Sequence, residues 1–260
     1  MKILVTFALE TEFAPWRALR KFRRAAWGAA DAYFAQIGAA EVGVVLTGAG
    51  SRQAAAAVSK LSWGGPDAME CCISSGLAGA LKPEYRVGQV LAAQAVAAER
   101  APEGAPSCIV ESSAALLSFA AESGASVVGR FYSAERAINT AHEKRHLGES
   151  ADAVEMESFQ VLFKARTEGI PVIAIRSISD AVDEDLPLDM NEVFTEIGEV
   201  SIHRVLGQVA LHPQSVPGLV RLGRNSKQAA ESLAEFLDRY IVAFSERAKA
   251  LEPRAASQQS

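Results

Sequence analysis

Short apolar runs, separated by stretches of helical spacing, organise this chain. Ile3 to Leu9, Val42 to Leu46, Met69 to Ser74, Val90 to Ala97, Ser126 to Phe131 and Val172 to Arg176 are nearly continuous apolar segments, as expected of strands buried on both faces of a largely parallel sheet. Between them, Ser51 is placed to cap the Ala-rich Arg52 to Leu61, Ser112 or Ser113 to cap Ala114 to Glu122, and Met156 to Glu168 runs into Gly169 and Pro171. The alternation predicts an α/β fold. Asp31 to Gln36 and Glu41 to Leu46 flank a turn at Gly38 and predict an antiparallel pair, so the sheet should be mixed. After about residue 190 the strand signals stop. Asn191 to Leu211 and Asn225 to Phe244 then carry apolar residues at helical spacing on either side of HPQSVPG, predicting two terminal helices. Pro102 to Pro106 reads as a surface loop and Glu252 to Ser260 as a frayed end.

With 260 residues, 49% of them hydrophobic and 22% charged, the chain has enough apolar material for a substantial core and is unlike a disordered sequence. Its 26 Lys and Arg against 31 Asp and Glu leave a net charge of −5, so no overall field would gather nucleic acid. The three cysteines, Cys71, Cys72 and Cys108, form neither a disulfide framework nor a C-x-x-C metal pair, which suits a reducing cytoplasm. Ile3 to Leu9 is too short to span a bilayer and lacks a cleavage site, so it is read as the first strand.

Carboxylates cluster at strand ends. Glu10 and Glu12 follow the first run, Glu155 and Glu157 lie in VEMES, and Asp180 closes IRSISD. Ligands of open α/β sheets bind at the carboxyl ends of strands, so acids from three distant stretches could converge there; alternatively each acid is only the dipole partner of a nearby helix. The glycine turns TGAG (47–50) and SGLAG (75–79) allow close backbone approach to a ligand but match neither the dinucleotide fingerprint nor the P-loop. His142 to His146 spells H-E-x-x-H, yet it sits in a short polar stretch ended by Gly148 with no third ligand at a recognised distance. No metal or organic cofactor is expected. His203 and His212 are read as surface or capping groups.

ALETE (8–12), TGAG, SGLAGAL (75–81), VEMES (154–158) and IRSISD (175–180), in this order, resemble the purine nucleoside phosphorylase superfamily, and within it the 5′-methylthioadenosine/S-adenosylhomocysteine nucleosidases. The resemblance implies a three-layer αβα domain over residues 1–200 around a central mixed sheet, with residues 201–260 as a helical extension packed on it. It also implies cleavage of a nucleoside N-glycosidic bond, in which positive charge builds on the ribose and negative charge on the departing base. By position, Asp180 then corresponds to the acid that protonates the leaving purine, Glu12 to the base that activates water, and Arg176 to the arginine beside that water. Glu157 corresponds to the glutamate on the ribose hydroxyls and Met156 to its neighbour along the sugar. Gly76, Leu77 and Ser179 are expected against the nucleoside and Ile138 against the purine. For its role Asp180 should be a proton donor, a state that burial favours.

The sequence departs from that pattern at three places. Ile73-Ser74-Ser75-Gly76 lacks the arginine with which family phosphorylases hold phosphate, which favours water as nucleophile and leaves phosphate a candidate co-substrate, with Arg52 as a possible cation. Ala137 occupies the position of an adenine-stacking aromatic, and Leu77 that of a serine. These changes make a different 5′ substituent plausible. Phe13, Trp16, Leu19 and Phe22 interleave with Arg17, Arg20, Lys21, Arg23 and Arg24, which predicts a basic amphipathic helix over residues 13–24 that either lies on an anionic membrane or packs its apolar side on the sheet with the arginines as a solvated face. With the terminal helices, this is similar to the hopanoid-associated phosphorylases, which remove adenine from a lipid-linked nucleoside. A homodimer is implied by resemblance, and a nucleoside-binding protein without turnover is the non-enzymatic alternative.

Overall fold

The computed structural model describes residues 1–65, 68–100, 107–195 and 198–251. The expected loop at 102–106 and tail at 252–260 lie outside the described residues. The first apolar run forms β1 (Lys2–Phe7), with Ile3, Leu4, Val5 and Phe7 buried, flanked in parallel by β4 (Ala40–Leu46) and β5 (Cys71–Ser74). The chain reaches β4 through α1 (Glu10–Leu19) and the antiparallel strands β2 (Arg23–Trp27) and β3 (Ala30–Ile37), the latter pairing Gln36 with Glu41 of β4 as the turn at Gly38 predicts. Between β4 and β5 runs α2 (Ser51–Ser59), whose N-cap is Gly50 at φ 103 rather than the expected Ser51.

The second half closes the sheet on itself. Strand β11 (Val172–Asp180) is buried along its whole length. It lies parallel to β5 and then to β6 (Leu77–Ala80), and antiparallel to β7 (Val90–Ala98) on its other side. The circuit from β6 back to β7 is completed by β10 (Ala153–Glu155) and β9 (Ser126–Ser133), while β8 (Ile109–Glu111) edges β7. Helices α3 (Ala114–Glu122), α4 (Ala141–Leu147) and α5 (Ser158–Thr167) connect these strands. A mixed α/β architecture is thus present, with one core between the sheet, α2 and α5 and a second between the sheet and α1.

Two expectations need correction. The helix proposed over 13–24 ends at Leu19, and Arg23 and Arg24 belong to an edge strand. Phe13 and Trp16 are fully buried, forming an aromatic cluster with Phe7, Phe22 and Tyr33. The arginines face acids of the same chain: Arg17 meets Glu10, Arg23 meets Glu41, Arg24 meets Asp31, and Arg20 grips Asp238 at 2.7 Å. Phe13 and Trp16 thus pack in the core, as the packing alternative expects, and of the four apolar residues only Leu19 is exposed.

The single helix expected over 191–211 is instead α6 (Met190–Val193) and α7 (Ile202–Leu211). Between them the chain bends so that Gly198 (φ 75) accepts the Ala49 N–H at 2.9 Å, and a Cβ there would stand 2.5 Å from that nitrogen. The last helix, α8 (Val216–Leu251), is longer than expected. Its Leu233, Phe236, Leu237, Tyr240 and Ile241 complete the core around α1. Among the described residues no helix is long and apolar enough to cross a membrane.

Candidate active site

One cavity opens at the carboxyl ends of β1, β10 and β11, and Glu12, Glu155, Glu157 and Asp180 all stand on its wall. Each carboxylate is held differently. Glu12, in the first turn of α1, accepts the Ala8 and Leu9 N–H groups on Oε2 (2.9 and 3.1 Å) and the Leu77 N–H on Oε1 (3.0 Å). Gly76 permits that last bond. It sits at φ 141, and a Cβ on it would lie 3.1 Å from Glu12 Oε1. Burial raises the Glu12 pKa, against the pull of the Leu77 N–H, the Arg176 charge and the Leu9 and Ala8 N–H groups.

Glu157 is the N-cap of α5, and its Oε1 accepts the Gly50 N–H at 2.7 Å, tying the TGAG turn to the site. Burial, then the neighbouring Glu155 charge, push Glu157 up to about 8, with Arg176 opposing. Because the folded protein binds this proton more tightly than the unfolded chain, the stabilisation it brings is present below pH 4.5 and is lost as pH rises towards 8. Urea midpoints of the wild type should therefore fall over that interval more steeply than those of Glu157→Gln. Parallel slopes would show that Glu157 titrates as it does in the unfolded chain.

Arg176 does not reach the cavity wall. It is 1% exposed beneath it, donating to Glu155 Oε2 at 2.6 Å and to Ser74 Oγ at 3.3 Å, with Glu157 Oε2 at 3.8 Å. Glu155 Oε2 also accepts the N–H groups of Glu157 (3.0 Å) and Ser158 (2.7 Å). A buried Glu155–Arg176 pair thus sets the backbone on which Glu157 is mounted. Of the residues singled out in the sequence, Met156, Ile138, Leu77 and Ser179 line the cavity together with Glu12, Glu157 and Asp180, while Gly76 and Arg176 support from behind.

Asp180 is met from two sides: Ser179 Oγ lies 2.7 Å from Oδ1, and Lys144 Nζ lies 2.5 Å from Oδ2. Lys144 is fully buried, and its ammonium also donates to the carbonyls of Ala181 (3.0 Å) and Glu184 (2.9 Å). Sequence reasoning passed over this lysine because it fell inside the H-E-x-x-H string. The helix turns His142 and His146 outward and Lys144 inward, in line with Ala141 and Leu147. A lysine on the inward stripe of a short amphipathic helix was the available signal.

On the cavity wall beside Ile138, Ala137 presents only a methyl group. Its backbone is clamped by Asn191, whose Oδ1 accepts the Ala137 N–H at 2.7 Å and whose Nδ2 donates to the Ala137 carbonyl at 3.1 Å. Arg136 is also on the wall and is held by Glu143. The outer wall is largely apolar, built by Leu9, Leu186, Met190, Phe194 and Leu222, with the polar Ser226 one turn beyond Leu222. Met190 and Phe194 come from α6 and its end, and Leu222 from α8, so elements after residue 185 shape the cavity. Nothing in their spacing indicated this.

A family model described as the phosphorylase superfamily matches residues 2–210. The chain belongs to the phosphorylase superfamily. Its reaction class is cleavage of an N-glycosidic bond. Solved structures similar to this superfamily member include the 5′-methylthioadenosine/S-adenosylhomocysteine nucleosidase of Helicobacter pylori, at 19% identity and TM-score 0.69 over 93% of this chain and 97% of that one. The futalosine hydrolase of the same organism gives 19% identity and TM-score 0.71 with the same coverage. The Neisseria meningitidis nucleosidase gives 19% and 0.70 over 93% and 99% of the two chains. At such identities these likenesses speak for the fold. The comparison with curated proteins finds no match.

Proposed function

We propose that this protein hydrolyses the N-glycosidic bond of a purine nucleoside, adenosine with a 5′ substituent. The observation that carries the reading is the meeting of Glu12, Glu157 and Asp180 around one cavity. In the step, the bond from C1′ to the base breaks with its electron pair going to the purine. Asp180 gives the purine a proton. Glu157 takes the ribose hydroxyls, and a water attacks C1′ as Glu12 takes a proton from it. Glu12 is built for that part. Three of about four acceptor positions on a carboxylate are filled by the backbone N–H groups of Ala8, Leu9 and Leu77, leaving one for a water proton.

Water is favoured over phosphate by the placement of the cations. Arg176 is committed to Glu155, Arg136 to Glu143, and Arg52 is exposed at the start of α2 away from the cavity wall. The test is to incubate the protein with methylthioadenosine, S-adenosylhomocysteine, inosine and a lipid-linked adenosine, with and without phosphate, and to identify products by mass spectrometry. Free base and free sugar without phosphate are expected. Release only with phosphate overturns hydrolysis, and no release from any substrate leaves a nucleoside-binding protein.

The apolar outer wall favours a second reading, in which the 5′ substituent is large and apolar. Leu9, Leu186, Met190, Phe194 and Leu222 outnumber the single hydroxyl of Ser226 there, so a hydrocarbon would bury well. This supports removal of adenine from a lipid-linked nucleoside such as adenosylhopane, with water or phosphate as acceptor. Adenine release from the lipid-linked substrate at much lower concentration than from methylthioadenosine is the expected mark.

A further inference from the structure

Helix α7 leaves half of its apolar stripe exposed. Ile202, Val205, Leu206 and Val209 fall at i, i+3, i+4 and i+7, the apolar stripe that a helix of a globular protein turns inward. Here Val205 and Val209 are only half-buried, Ile202 and Leu206 are exposed, and polar side chains make the hydrogen bonds that hold the helix. Arg204 Nη1 donates to the Phe194 carbonyl at 2.5 Å, and Gln208 exchanges hydrogen bonds with the backbone of Asp189, accepting at 3.0 Å and donating at 3.1 Å. No residue of α7 is buried, and Ile202 is 71%, Leu206 60% and Leu211 77% exposed. Val216 and Val220 continue the exposed apolar surface onto the first turns of α8. A ten-residue helix draws its stability from what covers its apolar face.

The charge of this segment says what that cover is. From Ser201 to Ala230 the chain carries Arg204, Arg221, Arg224 and Lys227 and no Asp or Glu, in a protein of net charge −5. Arg221 and Lys227 meet Glu184 and Glu231 only in exposed pairs at 3.5 and 3.8 Å, which compete weakly with other anions. Arg224 has no ion-pair partner among the described residues. The surface also borders the cavity mouth, since Phe194 before it and Leu222 after it line the outer wall.

We propose that α7 and the first turns of α8 form a docking surface for an anionic lipid bilayer, with α7 lying along the interface and the cavity mouth facing the acyl region. Apolar residues on one face beside cations are what such a contact requires. The proposal deepens the lipid-linked reading above and rests on it for what the bilayer delivers, but the contact is measured without turnover.

The test is flotation of the full chain with phosphatidylcholine vesicles, with and without phosphatidylglycerol, alongside sedimentation velocity without vesicles and base release from methylthioadenosine. The wild type should float with the phosphatidylglycerol vesicles and less so as salt rises. The Ile202→Glu, Leu206→Glu double variant should lose about tenfold or more of the bound fraction while keeping its thermal midpoint and its activity on the soluble nucleoside. Arg224→Glu should weaken binding mainly at low salt. Absence of flotation at low salt overturns the proposal, as does equal flotation of the double variant. A wild-type dimer that the double variant dissociates, without vesicle binding, assigns the face to a second copy and overturns it too. Flotation without base release would leave the surface standing and remove the nucleosidase reading.

Discussion

Asp180→Asn is expected to lower kcat for purine release by about 10²–10⁴-fold, the usual worth of a positioned proton donor, with nucleoside binding much less affected. The reason lies in how β11 ends. Asp180 is the last residue of a fully buried strand, with Ser179 on one oxygen and Lys144 on the other. An asparagine amide keeps this shape. Its carbonyl can accept from Lys144, and Lys144 retains the Ala181 and Glu184 carbonyls as acceptors, so the buried ammonium keeps its hydrogen bonds but loses its counter-charge, at a cost in stability of about 3–5 kcal/mol that a urea titration reads separately. What the amide cannot do is hand a proton to a departing base. A riboside with a nitrophenolate leaving group needs no such proton, so the variant should cleave it at close to the wild-type rate. Unchanged purine turnover in Asp180→Asn would remove Asp180 from leaving-group chemistry, and equal losses on both substrates would mean that the substitution damages the site as a whole.

The ease with which different parts of this molecule could be read from sequence follows from what each residue faces. The first half of β11 and most of β1 are buried on both sides, so Val172 to Ile175 and Ile3 to Val5 read as continuous apolar runs, whereas the more polar end of β11, Arg176 to Asp180, is buried only because it builds the site. By contrast, β6 (Leu77–Ala80) has no β-branched residue and β10 (Ala153–Glu155) is three residues ending in a carboxylate, and both hold their place through sheet neighbours rather than propensity. The aromatic spacing of Phe13 and Trp16 correctly marked one face. The partner of that face is the distant α8, whose Asp238 also takes Arg20, so a segment that looked basic and free is neutralised in place. In the site, Glu12, Glu157 and Asp180 were legible because they sit in motifs at strand ends. Lys144 was not, because its importance comes from the acid it stands behind, and Glu155 was legible as a strand-end acid but not as the partner of Arg176 beneath Glu157.

Glu12→Gln should lower kcat by about 10²–10⁴-fold, with binding of an uncleavable nucleoside analogue much less affected. Two effects must be separated. The amide cannot take a proton from water. It also cannot accept equally at both ends, because its NH2 group would face either the Leu77 N–H or the pair from Ala8 and Leu9. An unsatisfied buried donor costs about 1–3 kcal/mol of stability, which a urea titration reads independently of catalysis. The pH profile isolates the chemical role. A base must be ionised to act, so kcat/KM should rise as pH passes upward through the Glu12 pKa. Burial, opposed by the three N–H groups and Arg176, places that rise above the ordinary value of 4.5. In Glu12→Gln the rise should vanish from whatever activity remains. A rise that survives belongs to Glu157, the neighbouring buried acid that titrates near 8, and would take the water-activating role from Glu12. Equal losses of binding and turnover would count against that role as well, because a residue that acts on water alone has little to contribute to holding the intact nucleoside.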